Sequence, residues 1–168
     1  MDLNKAARDP WVWGQVGLIG LVVLGAPALA ERGLAWGPPT LSPLAGRVAG
    51  AGLGIAGALV TLWGFRSLGP NLTPGTEPLA TGQLVERGAY AHMRHPIYTG
   101  LSLFLAGWAG WVGTPLLMVV AGILSFGYFD RKAAAEERWM TSRFPAYREY
   151  QARVGKFLPR HRPGYGKI

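Results

Sequence analysis

Arg94, His95 and Pro96 stand together in the sequence, with Tyr98 and Gly100 just after them. Proline suits the first position of a helix, where its missing N–H is not needed. A helix is therefore predicted to start at Pro96, with His95 at its cap. The free N–H groups of a first helical turn favour anions such as a carboxylate. Arg94 adds a permanent positive charge and a fork of donors, and His95 and Tyr98 add hydrogen bonds and aromatic faces. A second group, Glu136-Glu137, lies some forty residues on. If the chain folds back between the two groups, cationic and anionic side chains face each other. Such a site suits a zwitterion that carries both a carboxylate and an amine. Each group also has a plainer reading: Arg-His as an interfacial anchor, Glu-Glu as an ion-paired solvated helix face. Matching spacing and topology favour the functional reading of the two together.

The elements between these groups are apolar. Charged residues are 15% of the chain, against about 25% in a typical soluble domain. None occurs in 10–30, 48–65 or 96–129. This pattern predicts an all-α polytopic membrane protein, a single domain over 1–168. Four transmembrane helices are expected, at about 11–30, 48–66, 96–112 and 115–130, followed by a C-terminal cytoplasmic helical extension. Ala28-Leu29-Ala30 resembles a signal-cleavage site. The length of the first apolar stretch and the spans after it favour its retention. The third and fourth spans form a short hairpin through Gly113-Thr114-Pro115. Sixteen residues reach about 24 Å, against roughly 30 Å of hydrocarbon. Trp108 and Trp111 suit the far interface.

Pro38, Pro39 and Pro43 mark a turn after the first span. The glycines of the second span, Gly50, Gly52, Gly54 and Gly57, read as a helix-packing face. No phosphate-gripping lysine follows them, as a nucleotide loop would require. The 66–95 segment is long for a loop and rich in turn residues. Leu84, Val85 and Tyr90 are its apolar anchors, and Gly88 permits a tight turn. Past Phe129 the fourth helix is expected to continue, break near Phe144-Pro145 and resume as an amphipathic segment. Phe144, Tyr147, Gln151 and Val154 would share one face. Trp139, Phe157 and the basic residues would rest on the membrane surface.

Charge orients the chain. The net charge is +8, and ten of the seventeen Lys and Arg lie from Arg131 to Lys167. Positive charge beside a span marks the cytoplasmic side and contact with anionic lipid, rather than nucleic acid. Lys5 and Arg8 put the N-terminus inside, and four spans return the C-terminus inside. The loop with Arg94-His95 and the tail with Glu136-Glu137 then face one compartment. The expected location is integral to a bacterial cytoplasmic membrane. The absence of cysteine excludes disulfides and thiolate chemistry. His92, His95 and His161 show no metal-ligand pairing.

"GAYAHMRHPIYTG", Gly88 to Gly100, resembles the Gly-x-Tyr-x-x-x-Arg-His-Pro-x-Tyr-x-Gly signature of integral-membrane methyltransferases. These include the isoprenylcysteine carboxyl methyltransferases and phospholipid N-methyltransferases. "EERWMTSRFPAYREYQARVGKFLP" resembles their second block, with Pro145 in place of the usual glycine. The resemblance covers roughly the last hundred residues. It implies S-adenosyl-L-methionine as cofactor, held within about 80–160 by Leu84, Val85, Tyr90, His95, Pro96, Tyr98, Glu136 and Glu137. Arg94 and Glu137 become the candidate catalytic pair, Arg94 binding either the cofactor carboxylate or the acceptor. The implied partners are the bilayer and a lipid or other lipophilic acceptor. A carboxylate acceptor needs no general base. An amine must lose a proton, with which Glu137 or His95 would assist. Two other readings stand beside this one: a membrane reductase using a nicotinamide cofactor, and a non-enzymatic small membrane protein. Arg87 and Arg94 alone are a thin basic cluster for NADPH. Oligomeric state is open.

Overall fold

The computed structural model describes residues 7–32, 43–73, 75–77 and 81–160. The expectations for Lys5, the Pro38-Pro39 turn, His161 and Lys167 lie outside the described residues. The described residues are mainly helical: α1 Pro10–Glu31, α2 Pro43–Leu68, α3 Pro96–Val112, α4 Pro115–Arg143 and α5 Tyr147–Arg153. Short 3-10 turns at Gly69–Asn71 and Gly88–Ala91 punctuate the long loop. No strand forms among these residues, and one isolated bridge pairs Met93 with Gly155.

Local chemistry explains the helix ends. Pro10, Pro43, Pro96 and Pro115 each open a helix, where proline's fixed φ is an advantage. Pro43, read from sequence as part of a turn, thus starts α2 five residues before the expected Val48. Asp9 and Thr114 cap α1 and α4 by accepting from Trp11 N at 2.9 Å and Leu117 N at 3.3 Å. α4 ends at Arg143, before the Phe144-Pro145 pair, since a residue preceding proline is pushed out of the helical region.

Two segments, Pro10–Glu31 and Leu44–Asn71, are long and apolar enough to cross a membrane. Leu24 and Ile55 on them are exposed, as is Ile123 on α4. Apolar surface this extensive is suited to lipid rather than water.

The closest helix pairing is α2 against α3. A Cβ on Gly57 would strike the backbone of Gly100, Leu103 and Phe104, and one on Gly107 the backbone of Gly50 and Gly54. Of the glycine face read from sequence, Gly50, Gly54 and Gly57 thus form a packing face within this chain, whereas Gly52 points away from α3, with nothing within 4 Å of an added Cβ. The partner of that packing face is a second small-residue face, Gly100-Gly107-Gly110. Such faces let backbones approach and gain dispersion contacts where lipid offers no hydrophobic drive. α3 also packs along α4, returned by the Gly113-Thr114 turn. α1 lies on the same pair: Trp108 Nε1 donates to Val23 O at 3.2 Å, and the Tyr128 hydroxyl donates to Trp11 O. Trp108 is therefore engaged by α1, whereas Trp111 remains half exposed.

The tail differs from its sequence reading at Phe157 and at two of the basic residues expected on the membrane surface, Arg153 and Lys156, which pair with Glu86 and Asp130 instead. Phe157, expected on the membrane surface, is buried 5.0 Å from the Phe126 ring and 5.9 Å from the His95 ring. The cause is the backbone return at 155–156: Arg94 N donates to Gly155 O at 2.9 Å and His95 N to Lys156 O at 3.0 Å. This pairing draws the apolar residue that follows into the helix mouth. Trp139 remains half exposed.

Candidate active site at the mouth of α3

His95 is the N-cap of α3, and no side-chain bond caps the helix there. Its ring, 7% exposed, instead stacks on Tyr98 at 5.6 Å and an interplanar angle of 4°. His95 Nε2 lies 3.0 Å from Glu137 Oε1, and Nδ1 lies 3.6 Å from Glu136 Oε2. The Tyr98 hydroxyl donates to Glu136 Oε1. The two halves of the sequence site therefore meet.

They do so with a division of labour that the sequence does not announce. Arg94 points toward the tail. Its Nε donates to Glu137 Oε1 at 2.8 Å, and its Nη1 donates to Val154 O at 2.5 Å and Gln151 O at 3.3 Å. Glu137 also accepts from Gln151 Nε2 at 3.2 Å. Arg94 and Glu137 thus form a clasp that fastens the tail to α3 and α4. Glu136, the adjacent residue, faces the other way into a cavity of about 370 Å³. Leu84, Val85, Tyr90, Arg94, His95 and Tyr98 share that wall; Pro96 and Glu137 lie outside it. Pro96 is fully buried behind it.

More of the wall comes from α5. Tyr147 and Tyr150 are buried together with Val154, against Leu84, Met140 and Phe144. The Tyr150 hydroxyl donates to Tyr90 O at 2.7 Å. Arg153 pairs with Glu86 at 2.7 Å, and Lys156 with Asp130 at 2.5 Å. Gly88, at φ 61°, supplies the left-handed turn that carries Tyr90 to the wall. Ser67 Oγ accepts from Ala89 N at 3.0 Å and holds that turn against α2.

The α1 side of the cavity contains residues to which the sequence analysis gave no role. Gln15 of α1, Asn71 and Thr76 of the loop and Lys132 of α4 all line it. Lys132 is 1% exposed; its Nζ donates to Gln15 Oε1 at 2.6 Å and sits 5.3 Å from the centre of the Tyr98 ring. Burial pulls its pKa down, against the opposing pull of the Glu136 and Asp9 charges. Asp9 fastens this end, accepting from Thr76 N at 2.7 Å and Thr76 Oγ1 at 3.0 Å. One sequence signal for this region was available: Gln15 is the one polar amide in an otherwise apolar 10–30 stretch, and polar groups in spans tend to face protein interiors.

The clasp has a defined electrostatic state. Burial alone would lower the His95 pKa, but the two carboxylates more than offset it and hold the value above 6.5. Burial alone would raise the Glu137 pKa, but His95 and Arg94 bring it down to about 2. Stability from the raised His95 is complete below pH 6.5 and is lost as pH rises through its folded-state value. Stability from the lowered Glu137 is complete above pH 4.5 and is lost as pH falls toward about 2. The melting temperature in detergent is therefore expected to plateau between about pH 4.5 and 6.5 and to fall on both sides. His95→Gln should flatten the alkaline limb. An unchanged alkaline limb in that variant would remove His95 from the account.

Apolar outer faces, two helices long and apolar enough to span a bilayer, and a cavity where helix ends, loop and tail meet suit a membrane protein with an internal site. Residues 45–146 match the profile of the phospholipid methyltransferase family, and the chain belongs to that family. A protein-S-isoprenylcysteine O-methyltransferase of Schizosaccharomyces pombe is 27% identical to it over 77 residues, 45% of this chain. The chain spans 33% of that relative's length.

Proposed function

We propose that this chain is a four-span methyltransferase that takes a methyl group from S-adenosyl-L-methionine and places it on a lipophilic acceptor at the cytoplasmic face of the membrane. One observation carries the reading: a single cavity joins Glu136, His95, Tyr90 and the α5 tyrosines to the apolar flanks of α2 and α3. Its volume, about 370 Å³, lies within the range of about 300–1,000 Å³ usual for small-molecule sites. The relative's printed activity, methylation of an isoprenylcysteine oxygen, supports both the reaction type and the lipophilic acceptor.

The residues fit the methyl donor. Glu136 is an acceptor for its amine or ribose hydroxyls. Leu84, Val85, Tyr90, Tyr147 and Tyr150 offer apolar and aromatic surface for its base. Its sulfonium is cationic, and the Tyr90 ring and the Glu136 carboxylate of the same wall suit it. When bound, S-adenosyl-L-methionine supplies an electrophilic methyl group on that sulfonium. The chain's own work is alignment and the exclusion of water. Arg94, Glu137 and Pro96 act through the others: the clasp keeps the α5 wall closed, and Pro96 fixes where His95 sits.

The orientation, with both termini inside, rests on two independent supports. The basic residues concentrate in the tail. The N-terminus of α1, the 66–95 loop, the start of α3 and the tail also meet at one end, through Asp9–Thr76, His95–Glu137 and Lys156–Asp130. The four spans are then α1, α2, α3 and the first half of α4, with the rest of α4 and α5 in the cytoplasm.

Radiolabelled methyl transfer from S-adenosyl-L-methionine into the lipid-soluble fraction of membranes tests the reading. Glu136→Gln keeps the shape but removes the charge. It is expected to cut transfer by about tenfold to a hundredfold, because one charge-assisted hydrogen bond contributes about 1.5–3 kcal/mol. Transfer at the wild-type rate would remove Glu136 from the site.

A further inference from the structure

Asp9 uses its two carboxylate oxygens for different tasks. Oδ1 accepts from Trp11 N at 2.9 Å and caps α1. Oδ2 accepts from Thr76 N at 2.7 Å and from Thr76 Oγ1 at 3.0 Å, across 67 residues of sequence. Capping needs only one oxygen, so the second is given over to the loop. Thr76 is buried, and a buried N–H needs an acceptor. A carboxylate makes that bond charge-assisted. Gly75 permits the approach, since an added Cβ would lie 3.0 Å from Asp9 Oδ2. Leu72, Thr73, Gly75 and Thr76 line the cavity and belong to no helix. Two other bonds hold this loop to itself and to α2: Gln83 N donates to Asn71 Oδ1 at 2.8 Å, and Ala89 N to Ser67 Oγ at 3.0 Å. Asp9 ties it to α1. That helix lies outside residues 45–146, which match the family profile.

We propose that Asp9 is a positioning residue for the methyl donor: by holding Thr76 it makes Leu72, Thr73, Gly75 and Thr76 a fixed wall of the cavity, so that α1 completes the donor site. The inference rests on the methyltransferase reading, because it takes the cavity's ligand to be the donor. Asp9 does not itself line the cavity and acts through Thr76. A wall fixed before the ligand arrives leaves less ordering to be done on binding, and that difference appears as affinity. The chemistry of the latch also separates it from the cap. Asparagine caps a helix about as well as aspartate, but its amide nitrogen cannot accept from Thr76 N. Asp9→Asn therefore keeps the cap and removes the latch.

The test uses the full chain in phosphatidylcholine nanodiscs, with two readouts: calorimetric affinity for S-adenosylhomocysteine, and hydrogen–deuterium exchange of the unliganded protein. In Asp9→Asn the affinity is expected to fall about tenfold, the low end of the effect of one hydrogen bond to a charged group. Exchange at the Gly75 and Thr76 amides should speed up, while the amides of α1 keep wild-type protection. Thr76→Val, which loses the hydroxyl but keeps the N–H, should give a smaller loss of affinity, and Thr76→Ser should restore it. Thr76→Val serves if Asp9→Asn does not fold. Wild-type affinity in Asp9→Asn, or unchanged exchange at Thr76, overturns the proposal. If the wild type does not bind S-adenosylhomocysteine but exchange at Thr76 responds to Asp9→Asn, the methyltransferase reading falls and Asp9 stands as the residue that positions this wall.

Discussion

Arg94→Ala is expected to destabilise the protein by about 3–5 kcal/mol, the usual cost of removing one partner from a buried ion pair. The lost side chain serves three acceptors at once: the Glu137 carboxylate and the backbone oxygens of Gln151 and Val154. Glu137, whose side chain is 14% exposed, would keep His95 and Gln151 but lose its permanent cation. Both tail carbonyls would lose a charged donor. The α5 wall with Tyr147 and Tyr150 should then swing from the cavity, and affinity for S-adenosylhomocysteine should drop by about a hundredfold or more. Arg94→Lys should rescue only partly, because a single ammonium cannot reproduce the fork. Thermal unfolding in detergent together with a ligand titration reads both effects. Wild-type stability in Arg94→Ala would mean that the tail is held by other contacts.

The second large effect is steric. Gly57→Leu inserts a side chain where even a Cβ meets the backbone of Gly100, Leu103 and Phe104. Overpacking costs typically about 1–3 kcal/mol when side chains can yield. Backbone yields less, so the expected loss is at or above the top of that range. Because α2 carries Phe65 and Leu68 to the cavity and Ser67 to the turn at Ala89, activity should fall with stability. Gly52→Ala is the internal control: on the same helix, nothing lies within 4 Å of its added Cβ, and stability should hold or rise slightly. A Gly57→Leu protein as stable as Gly52→Ala would show that α2 and α3 do not pack this way.

These two cases also show what the sequence makes legible. The glycine face of α2 is visible as a packing face from its residue types. Its partner is not, because Gly100, Gly107 and Gly110 lie in a different apolar stretch and pairing is a tertiary choice. The start of α3 at Pro96 and the end of α4 at Phe144-Pro145 are legible, because proline acts locally. Glu136 and Glu137 are legible as a pair near the mouth. Their divergence is not: adjacent helical residues point about 100° apart, so one takes the cavity and the other the clasp. Only the packed tail decides which. Lys132 is the least legible. Within "DRKAAAEER" it reads as one charge on a solvated helix. Its burial depends on Gln15, 117 residues earlier, and on the return of α1 alongside α4. Phe157 misleads for the same reason: an apolar residue among basic ones looks interfacial until the backbone pairing at 155–156 carries it inward.

The central claim is that the cavity between Glu136 and Lys132 is a methyl-donor site. Calorimetric titration of the detergent-purified chain with S-adenosyl-L-methionine, S-adenosylhomocysteine and NADPH tests it most directly. The account predicts saturable one-site binding of the first two ligands and none of NADPH, with binding weakened about tenfold to a hundredfold in Glu136→Gln. Binding of NADPH without S-adenosylhomocysteine, or equal binding by the wild type and Glu136→Gln, would contradict it.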